Sequence, residues 1–386
     1  MNEPHVEYEH RVTPLELFFD LVFVFAFTQV TTLLSNDPTW RGLGHGLLVL
    51  TAVWWTWAGY AWLTNTVDPD EGAVRAAVLV AMGGIFVAAL AVPHAFGTHG
   101  VLFGAAFLLV SVMHVTLFAL AGRGDPDLLK AVLRVAPESL GGAVLIIAAG
   151  FVGDPLRSVL WLAAVAVGYV APFFLGVGGF RVHPAHFVER HGLIVIIAVG
   201  ESLVAIGLGA RGTELGLGVI SAAILGFVVA TSLWLAYFDF FTIRAQQLLS
   251  DRSGEQRTAL ARDVYTYLHL PMIAGIVLFA FAMKTTLAHV GNELDTISAL
   301  CMCGGCSLYL FAYAGVRWRV SRTVGGGRLV AAFALAALFP LALVVPAVAA
   351  LGAVAAVWVA LHAYELIWWR EARAETRALR LPASAS

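Results

Sequence analysis

Residues 15–32 read LELFFDLVFVFAFTQVTT, which is long and apolar enough to cross a membrane and yet contains two carboxylates. A membrane-spanning helix needs about 20 predominantly apolar residues. Charged side chains within the hydrocarbon are costly, so they face protein or water and often mark functional positions. Glu16 and Asp20 are four residues apart and therefore share one face of a helix. The stretch predicts a membrane helix that presents two acids to a partner.

The composition extends this prediction to the rest of the chain. Of the 386 residues, 60% are hydrophobic and 12% are charged, and the mean hydropathy is +0.84. Soluble domains carry about 25% charged residues. We therefore expect an all-α integral membrane protein whose main partner is the lipid bilayer, with no binding of nucleic acid.

The apolar segments predict twelve transmembrane helices. They lie at residues 15–34, 42–63, 73–93, 100–121, 130–151, 157–176, 187–209, 216–239, 263–288, 295–316, 328–349 and 352–370. Basic residues test this count, because they gather in cytoplasmic loops. With twelve spans, the side opposite the termini has only four of the 23 basic residues, namely Arg41, Arg157, Arg211 and Lys284. This distribution predicts that both termini are cytoplasmic.

The two halves of the chain resemble each other. Thr28 matches Glu201 at an offset of 173 residues, and LFALAG at 117–122 matches LFAYAG at 310–315. Parallel repeats of this kind are related by an axis along the membrane normal, and functional sites tend to lie where they meet. We predict a first six-helix repeat at 1–180, a second at 181–370 with a cytoplasmic insertion at 242–262, and a cytoplasmic Arg-rich tail at 371–386.

The acids of the first span allow two interpretations. Asp20 lies about 9 Å along the helix axis from the start of the span, with Glu16 one turn before it. Both acids could cap the cytoplasmic end of the helix and pair with Arg11 or another loop arginine. Alternatively, they belong to a functional site.

Glu201 is the acid that lies deepest in the predicted membrane, near the midplane of the seventh span. A carboxylate at this depth requires either a basic partner or a bound proton. The nearby glycines Gly200, Gly207 and Gly209 predict that a neighbouring helix approaches closely.

These patterns predict a site for a substrate or ion between the two repeats. Its residues would be Glu16, Asp20, Gln29, Glu189, Glu201, Ser202, Trp234, Tyr237 and Asp239. The secondary candidates are His114, Glu138, His269 and Arg190, whereas His362 and Glu365 are expected to be structural. We expect no catalytic residues, cofactor or metal ion, since the cysteines of LCMCGGCSLYL (300–310) have no His or carboxylate beside them.

Two segments carry a resemblance to a known family. ELFFDLVFVFAFTQV in the first span and ERHGLIVIIAVGES in the seventh resemble the two signature segments of the bacterial low temperature requirement A family. The resemblance covers essentially the whole chain and implies a polytopic protein of the bacterial inner membrane. It also implies that the motif carboxylates are the best candidates for function.

A more distant similarity concerns FFD at 18–20. It is similar to the Phe-Ser-Asp motif in the first helix of a potassium-channel family of endolysosomes and bacteria, with Phe19 in place of the Ser. Analogy at the level of fold does not transfer a channel function.

Three functions therefore remain open at this point. The first is a transporter or proton-coupled carrier of an unknown small solute or ion. The second is a cation channel, and the third is a membrane enzyme or a scaffold that senses the state of the lipid. A homodimer is possible in each case.

Overall fold

The computed structural model describes residues 12–239 and 241–368. Arg11 and the predicted tail at 371–386 lie outside these residues. Within them the chain forms helices and no strand, which confirms the all-α prediction. The first eight helices are α1 (Pro14–Asn36), α2 (Trp40–Thr64), α3 (Gly72–Ala91), α4 (Gly100–Ala121), α5 (Pro126–Ala149), α6 (Leu156–Leu175), α7 (Pro184–Gly209) and α8 (Leu217–Phe238).

Two short helices follow over the residues at which an insertion was predicted, α9 (Phe241–Ser250) and α10 (Gly254–Ala261). The remaining helices are α11 (His269–Ala288), α12 (Thr296–Ser321), α13 (Gly326–Ala337), α14 (Phe339–Ala342) and α15 (Ala347–Trp368). A π-helical segment, Arg262–Leu268, joins α10 to α11, so that one helical rod runs over Gly254–Ala288.

Among the described residues, eleven helices are long and apolar enough to cross a membrane. They correspond to eleven of the predicted spans, and the chain is a polytopic membrane protein. The segment predicted at 328–349 is instead a shorter apolar helix, Gly326–Ala342, that is broken between α13 and α14. Pro340 lies at the start of α14, where its missing N–H costs no helical hydrogen bond.

The centre of the bundle is formed by α11 and α12, whose apolar windows are 78% and 72% buried. Helix α11 packs against α1, α7 and α12. Glycine allows the last of these contacts, because a Cβ atom on Gly275 would lie 2.4 Å from the carbonyl oxygen of Gly305. The helices that carry the predicted site residues are thus built around α11.

The close approach predicted at the glycines of α7 is found at one position. A Cβ atom on Gly209 would lie 2.7 Å from the carbonyl oxygen of Lys284 in α11. At Gly200 and Gly207 a Cβ atom would meet nothing within 4 Å among the described residues, so the prediction was wrong there. These two glycines are on faces of α7 that no neighbouring helix covers closely.

Candidate functional site

Helices α1 and α7 run parallel and touch in a constant register. Glu16 contacts His186, Asp20 contacts Arg190, and Thr31 contacts Glu201, each pair being 170 residues apart. Both helices begin with a proline in the first turn, where its fixed φ favours the helix. The polar residues that the sequence assigned to two separate spans therefore form one shared face.

Glu16 has two roles at the start of α1. Its Oε2 atom accepts a hydrogen bond from the backbone N–H of Thr13 at 2.9 Å, and the Thr13 hydroxyl accepts one from the Glu16 N–H at 3.3 Å. This reciprocal pair is a capping box, which satisfies two otherwise free donors of the helix. The Oε1 atom of Glu16 faces α7 and is available for a second partner.

That second partner is Arg190, which also binds Asp20. The Nη1 atom of Arg190 lies 2.8 Å from Glu16 Oε1, and Nη2 lies 2.8 Å from Asp20 Oδ1. His186 Nε2 is 3.1 Å from both oxygens of Glu16. We call Glu16, Asp20, His186 and Arg190 the ionic cluster. All four residues are buried, so the charges are stabilised by one another and not by water.

Asn65 fixes the tautomer of His186. The Asn65 side-chain oxygen accepts a hydrogen bond from the His183 backbone N–H at 2.8 Å. Its amide nitrogen therefore faces His186 Nδ1 at 3.1 Å and donates to it. His186 then carries a proton on Nε2 and donates it to Glu16 when the imidazole is neutral.

Aromatic rings enclose the ionic cluster. The indole N–H of Trp57 donates to Asp20 Oδ1 at 2.9 Å. The guanidinium carbon of Arg190 lies 6.0 Å from the ring centre of Phe19 and 5.9 Å from that of Trp57. In such a low-dielectric enclosure, each ion pair is stronger than at a surface, and an unpaired charge is correspondingly costly.

A second polar group lies further along the same two helices and is called the Glu201 site. It consists of Glu201, Thr28, Thr31 and Lys284. The fully buried carboxyl of Glu201 is 2.5 Å from the Thr28 hydroxyl and 3.0 Å from the Thr31 hydroxyl. Lys284 of α11 donates from Nζ to the Thr31 hydroxyl at 2.8 Å. The hydroxyl of Thr31 thus links the acid to a base.

Two buried histidines lie beside the ionic cluster. His191 Nδ1 donates to the Phe187 carbonyl at 2.8 Å, and His269 Nδ1 donates to the Val264 carbonyl at 2.9 Å. Since a carbonyl only accepts, Nε2 of His269 is left to accept from the Tyr237 hydroxyl at 2.9 Å. The two imidazole rings are 5.5 Å apart. Tyr237 and His269, both predicted from the sequence, therefore contact each other.

The π-helical segment next to these histidines is held by α2. The Trp54 indole N–H donates to the Thr266 carbonyl at 2.8 Å, and the Trp62 indole N–H donates to the Thr266 hydroxyl at 2.9 Å. A π turn leaves the backbone less regularly paired and is frequent at functional sites. Three tryptophans of α2, namely Trp54, Trp57 and Trp62, thus donate hydrogen bonds inside the protein.

Several predicted site residues lie outside both groups. Glu189 is exposed and accepts from the Val12 N–H at 3.4 Å, and Trp234 is 40% exposed on the outside of α8. Gln29 is half-buried on α1, and Asp239 is the C-terminal cap of α8. Ser202 is buried beside Glu201, with no hydrogen-bond partner for its hydroxyl among the described residues.

Other contacts were not foreseen from the sequence. They include His186, Trp57 and Lys284, and a buried ion pair in which Arg328 Nε lies 2.6 Å from Glu365 Oε1. A lysine inside an apolar run is a signal that could have been followed, because it needs an acidic or polar partner in the membrane. Within the described residues, no group of three or more His, Cys, Asp or Glu side chains is placed to hold a metal ion.

A bundle of long apolar helices with buried ion pairs defines a polytopic membrane protein. Residues 11–363 match the family described as bacterial low temperature requirement A protein (LtrA), and the chain belongs to this family. It is 33% identical over 323 residues to the uncharacterized protein RA0937 of Rhizobium meliloti (strain 1021). The alignment covers 80% of this chain and 77% of that protein. The family resemblance predicted from the two signature segments is confirmed.

Proposed function

We propose that this member of the family is a proton-coupled carrier of the bacterial inner membrane. In this proposal Glu201 takes up and releases the proton, and the ionic cluster closes the end of the bundle at which α1 and α7 begin. The observation that carries the proposal is the chain of contacts from Glu201 through Thr31 to Lys284. These contacts give the buried acid hydrogen-bond partners in both its ionised and its protonated form.

The hydrogen-bond inventory of the Glu201 site supports this. The Thr28 hydroxyl is within reach of Glu201 and of the Val24 carbonyl at 3.1 Å, and the Thr31 hydroxyl is within reach of Glu201 and of the Thr28 carbonyl at 2.9 Å. When Glu201 is ionised, both hydroxyls can donate to it. When Glu201 is protonated, it can donate to one hydroxyl, which then donates to its carbonyl instead. The proton can therefore come and go without leaving a donor unpaired.

Lys284 supplies the compensating charge. An ionised Glu201 and a protonated Lys284 would be neutral together, which lowers the cost of a charge at this depth. Protonation of Glu201 would leave the lysine unbalanced and would favour an anion or a change of helix position. This electrostatic link is the kind of coupling that a carrier requires.

Burial favours a carrier over a channel. Phe23 and Phe27 lie on α1 between the ionic cluster and the Glu201 site, and both are fully buried. The two polar groups are about 12 Å apart along the helix, since eight residues separate Asp20 from Thr28. The selectivity filters of ion channels are rings of carbonyls or charged side chains along a pore, whereas two polar groups separated by buried phenylalanines suit alternating access.

The orientation belongs to the same proposal. The segregation of basic residues supports cytoplasmic termini, which would place the ionic cluster towards the cytoplasm. A fluorescent reporter that matures only in the cytoplasm, fused after residue 386, should be fluorescent. A dark fusion that is nonetheless present in the membrane would reverse the assignment.

The first test is whether Glu201 titrates. Infrared difference spectra of the purified protein between low and high pH should show the carbonyl stretch of a protonated carboxyl, and Glu201→Gln should remove that band. Glu189→Gln is the matched control, because Glu189 is an exposed acid on the same helix. A spectrum that is identical in the parent and Glu201→Gln would remove the assigned role of Glu201.

The second test is flux. Proteoliposomes that contain a pH-sensitive dye should acidify or alkalinise when a gradient of the transported solute is imposed, and a panel of inorganic ions and small metabolites would be screened. Glu201→Gln should lower proton movement at least about tenfold, as expected when the group that takes up the proton is removed. Non-saturating cation flux that is unchanged in Glu201→Gln would favour a channel. If Glu201 does not titrate and no flux is detected, a role without transport is favoured.

A further inference from the structure

A cavity of about 170 Å³ lies in the first part of the chain, and its described lining residues include no member of the ionic cluster or of the Glu201 site. It is bounded by α2, α4, α5 and α6, with residues of the π-helical segment at one side. The Glu201 site is formed by α1, α7 and α11 instead. The cavity is therefore a separate feature, and what it binds does not depend on the function proposed above.

The wall of the cavity is strongly aromatic. The rings that line it include those of Trp55, Tyr60, Trp62, Phe107, Phe118 and Tyr169. The rings of Trp55 and Tyr169 are 4.7 Å apart, and the Tyr60 hydroxyl is occupied by the Val110 carbonyl at 3.0 Å. Aromatic faces carry partial negative charge and attract cations, most strongly where water is excluded.

Three polar atoms around the cavity have no hydrogen-bond partner among the described residues. They are Nε2 of His114, Oε2 of Glu138 and the hydroxyl of Tyr169, and each is shielded from solvent. Buried polar atoms are normally paired, so a group of unpaired ones needs an explanation. They come from three different helices and border the same space, which is the arrangement of a binding site with a few convergent polar groups.

The charges around the cavity favour a cation. Glu138 is the carboxylate and Arg262 the cation among its described lining residues. Arg262 is occupied elsewhere, since its Nη2 and Nε atoms lie 2.7 and 2.9 Å from Asp263 Oδ1 and its Nη1 atom donates to the Pro172 carbonyl. Glu138 is thus the acidic side chain that is left to a ligand, and a bound cation would favour its ionised form.

We propose that this cavity binds a small lipophilic ammonium compound. The cationic nitrogen would lie at the Glu138 carboxylate, and the apolar part would contact the aromatic wall. An engineered apolar cavity of about 150 Å³ holds benzene, so an arylalkyl ammonium ion of that size fits here. His114 and Tyr169 would complete the polar end of the site by accepting the remaining N–H groups.

The experiment measures binding of radiolabelled benzylammonium to the purified full-length protein in detergent, with micelles alone as the blank. Saturable binding is expected, and toluene, a neutral analogue of similar size, should compete poorly. Glu138→Gln keeps the shape of the side chain and removes its charge, so it should weaken binding at least about tenfold. Glu189→Gln removes an exposed carboxylate of α7 that does not line the cavity, and it should leave the affinity unchanged.

A second variant separates the cavity from the charge. Ser111 is buried at the wall of the cavity, and Ser111→Leu adds a branched side chain without altering Glu138. Binding should be lost in this variant while the elution volume and the unfolding midpoint stay close to those of the parent. No saturable binding to the parent would overturn the proposal, as would equal competition by toluene or an unchanged affinity in Glu138→Gln.

Discussion

Arg190 of α7 and Asp20 of α1 form a fully buried ion pair, with Nη2 and Oδ1 2.8 Å apart. The same guanidinium binds Glu16 through its other terminal nitrogen. One cation thus holds two acids that belong to the signature segment of the first helix. Removal of a single member of such a group leaves an uncompensated charge inside the protein.

Arg190→Met should therefore destabilise the protein strongly. The substitution keeps much of the apolar stem and leaves Glu16 and Asp20 without their cation, so we expect a loss of about 3–5 kcal/mol in the free energy of unfolding. The shift of the thermal unfolding midpoint in detergent, relative to the parent, reports this loss of free energy. Glu189→Gln, at the neighbouring exposed position, should change the free energy by less than about 0.5 kcal/mol. Equal shifts in the two variants would contradict the central role of Arg190.

Trp57→Phe should show the value of the indole N–H to Asp20. The ring remains apolar and aromatic, but a buried carboxylate oxygen keeps Arg190 and loses its indole donor, which should cost about 1.5–3 kcal/mol. Trp234→Phe is the comparison, since Trp234 is on the outside of α8. A smaller loss of stability in Trp57→Phe than in Trp234→Phe would argue against the hydrogen bond.

Thr28 and Glu201 should be energetically coupled. Thr28→Val removes the hydroxyl that lies 2.5 Å from Glu201, so the acid loses a hydrogen-bond donor. In a Glu201→Leu background the same change should cost less, because the acid that the hydroxyl contacts is already absent. A double-mutant cycle on unfolding should give a coupling of about 0.5–3 kcal/mol. Thr32→Val provides the reference, because its hydroxyl bonds to the Thr28 carbonyl and not to Glu201. A coupling within error of zero would separate the two side chains.

Two glycines of α7 should respond differently to alanine. Gly209→Ala would place a Cβ atom 2.7 Å from the Lys284 carbonyl oxygen and 2.9 Å from Leu287 Cβ, so the helices must separate. Overpacking of this kind costs about 1–3 kcal/mol. Gly200→Ala meets nothing within 4 Å among the described residues and should be neutral or slightly stabilising. The two unfolding midpoints decide the matter, and identical midpoints would disprove the contact.

The architecture was largely predictable from the sequence because the bilayer fixes the length of an apolar helix. The bounds of α1 and α4 differ from the predicted spans by at most two residues. The break in the segment at 328–349 was harder to predict. Its apolar length is sufficient for a span, while Pro340 and Pro346 interrupt the helix locally. Apolar length alone does not locate such a break.

The partners within the site were less predictable, because they depend on how each helix is rotated about its axis. Glu16, Asp20 and Glu201 were identified as costly acids, and the structure gives each a specific partner. Arg190 was ranked below its neighbour Glu189, although adjacent residues of a helix point in different directions. A helix that is apolar on nearly every face gives no signal of which of the two points inward. For the same reason Arg328 and Glu365 were not recognised as a pair.

The constant register of α1 and α7 has a mechanical consequence. The two helices are fastened at two levels, the ionic cluster and the Glu201 site, about 12 Å apart. Two helices joined at two levels can neither slide nor rotate relative to each other, so they behave as one rigid pair. Any opening of the bundle must then take place where this rigid pair contacts its neighbours, among them α2, α3, α8 and α11. A change of protonation or of contacts at either polar group would tilt the whole rigid pair. The effect would thus be transmitted to the other polar group without a relay of intermediate side chains.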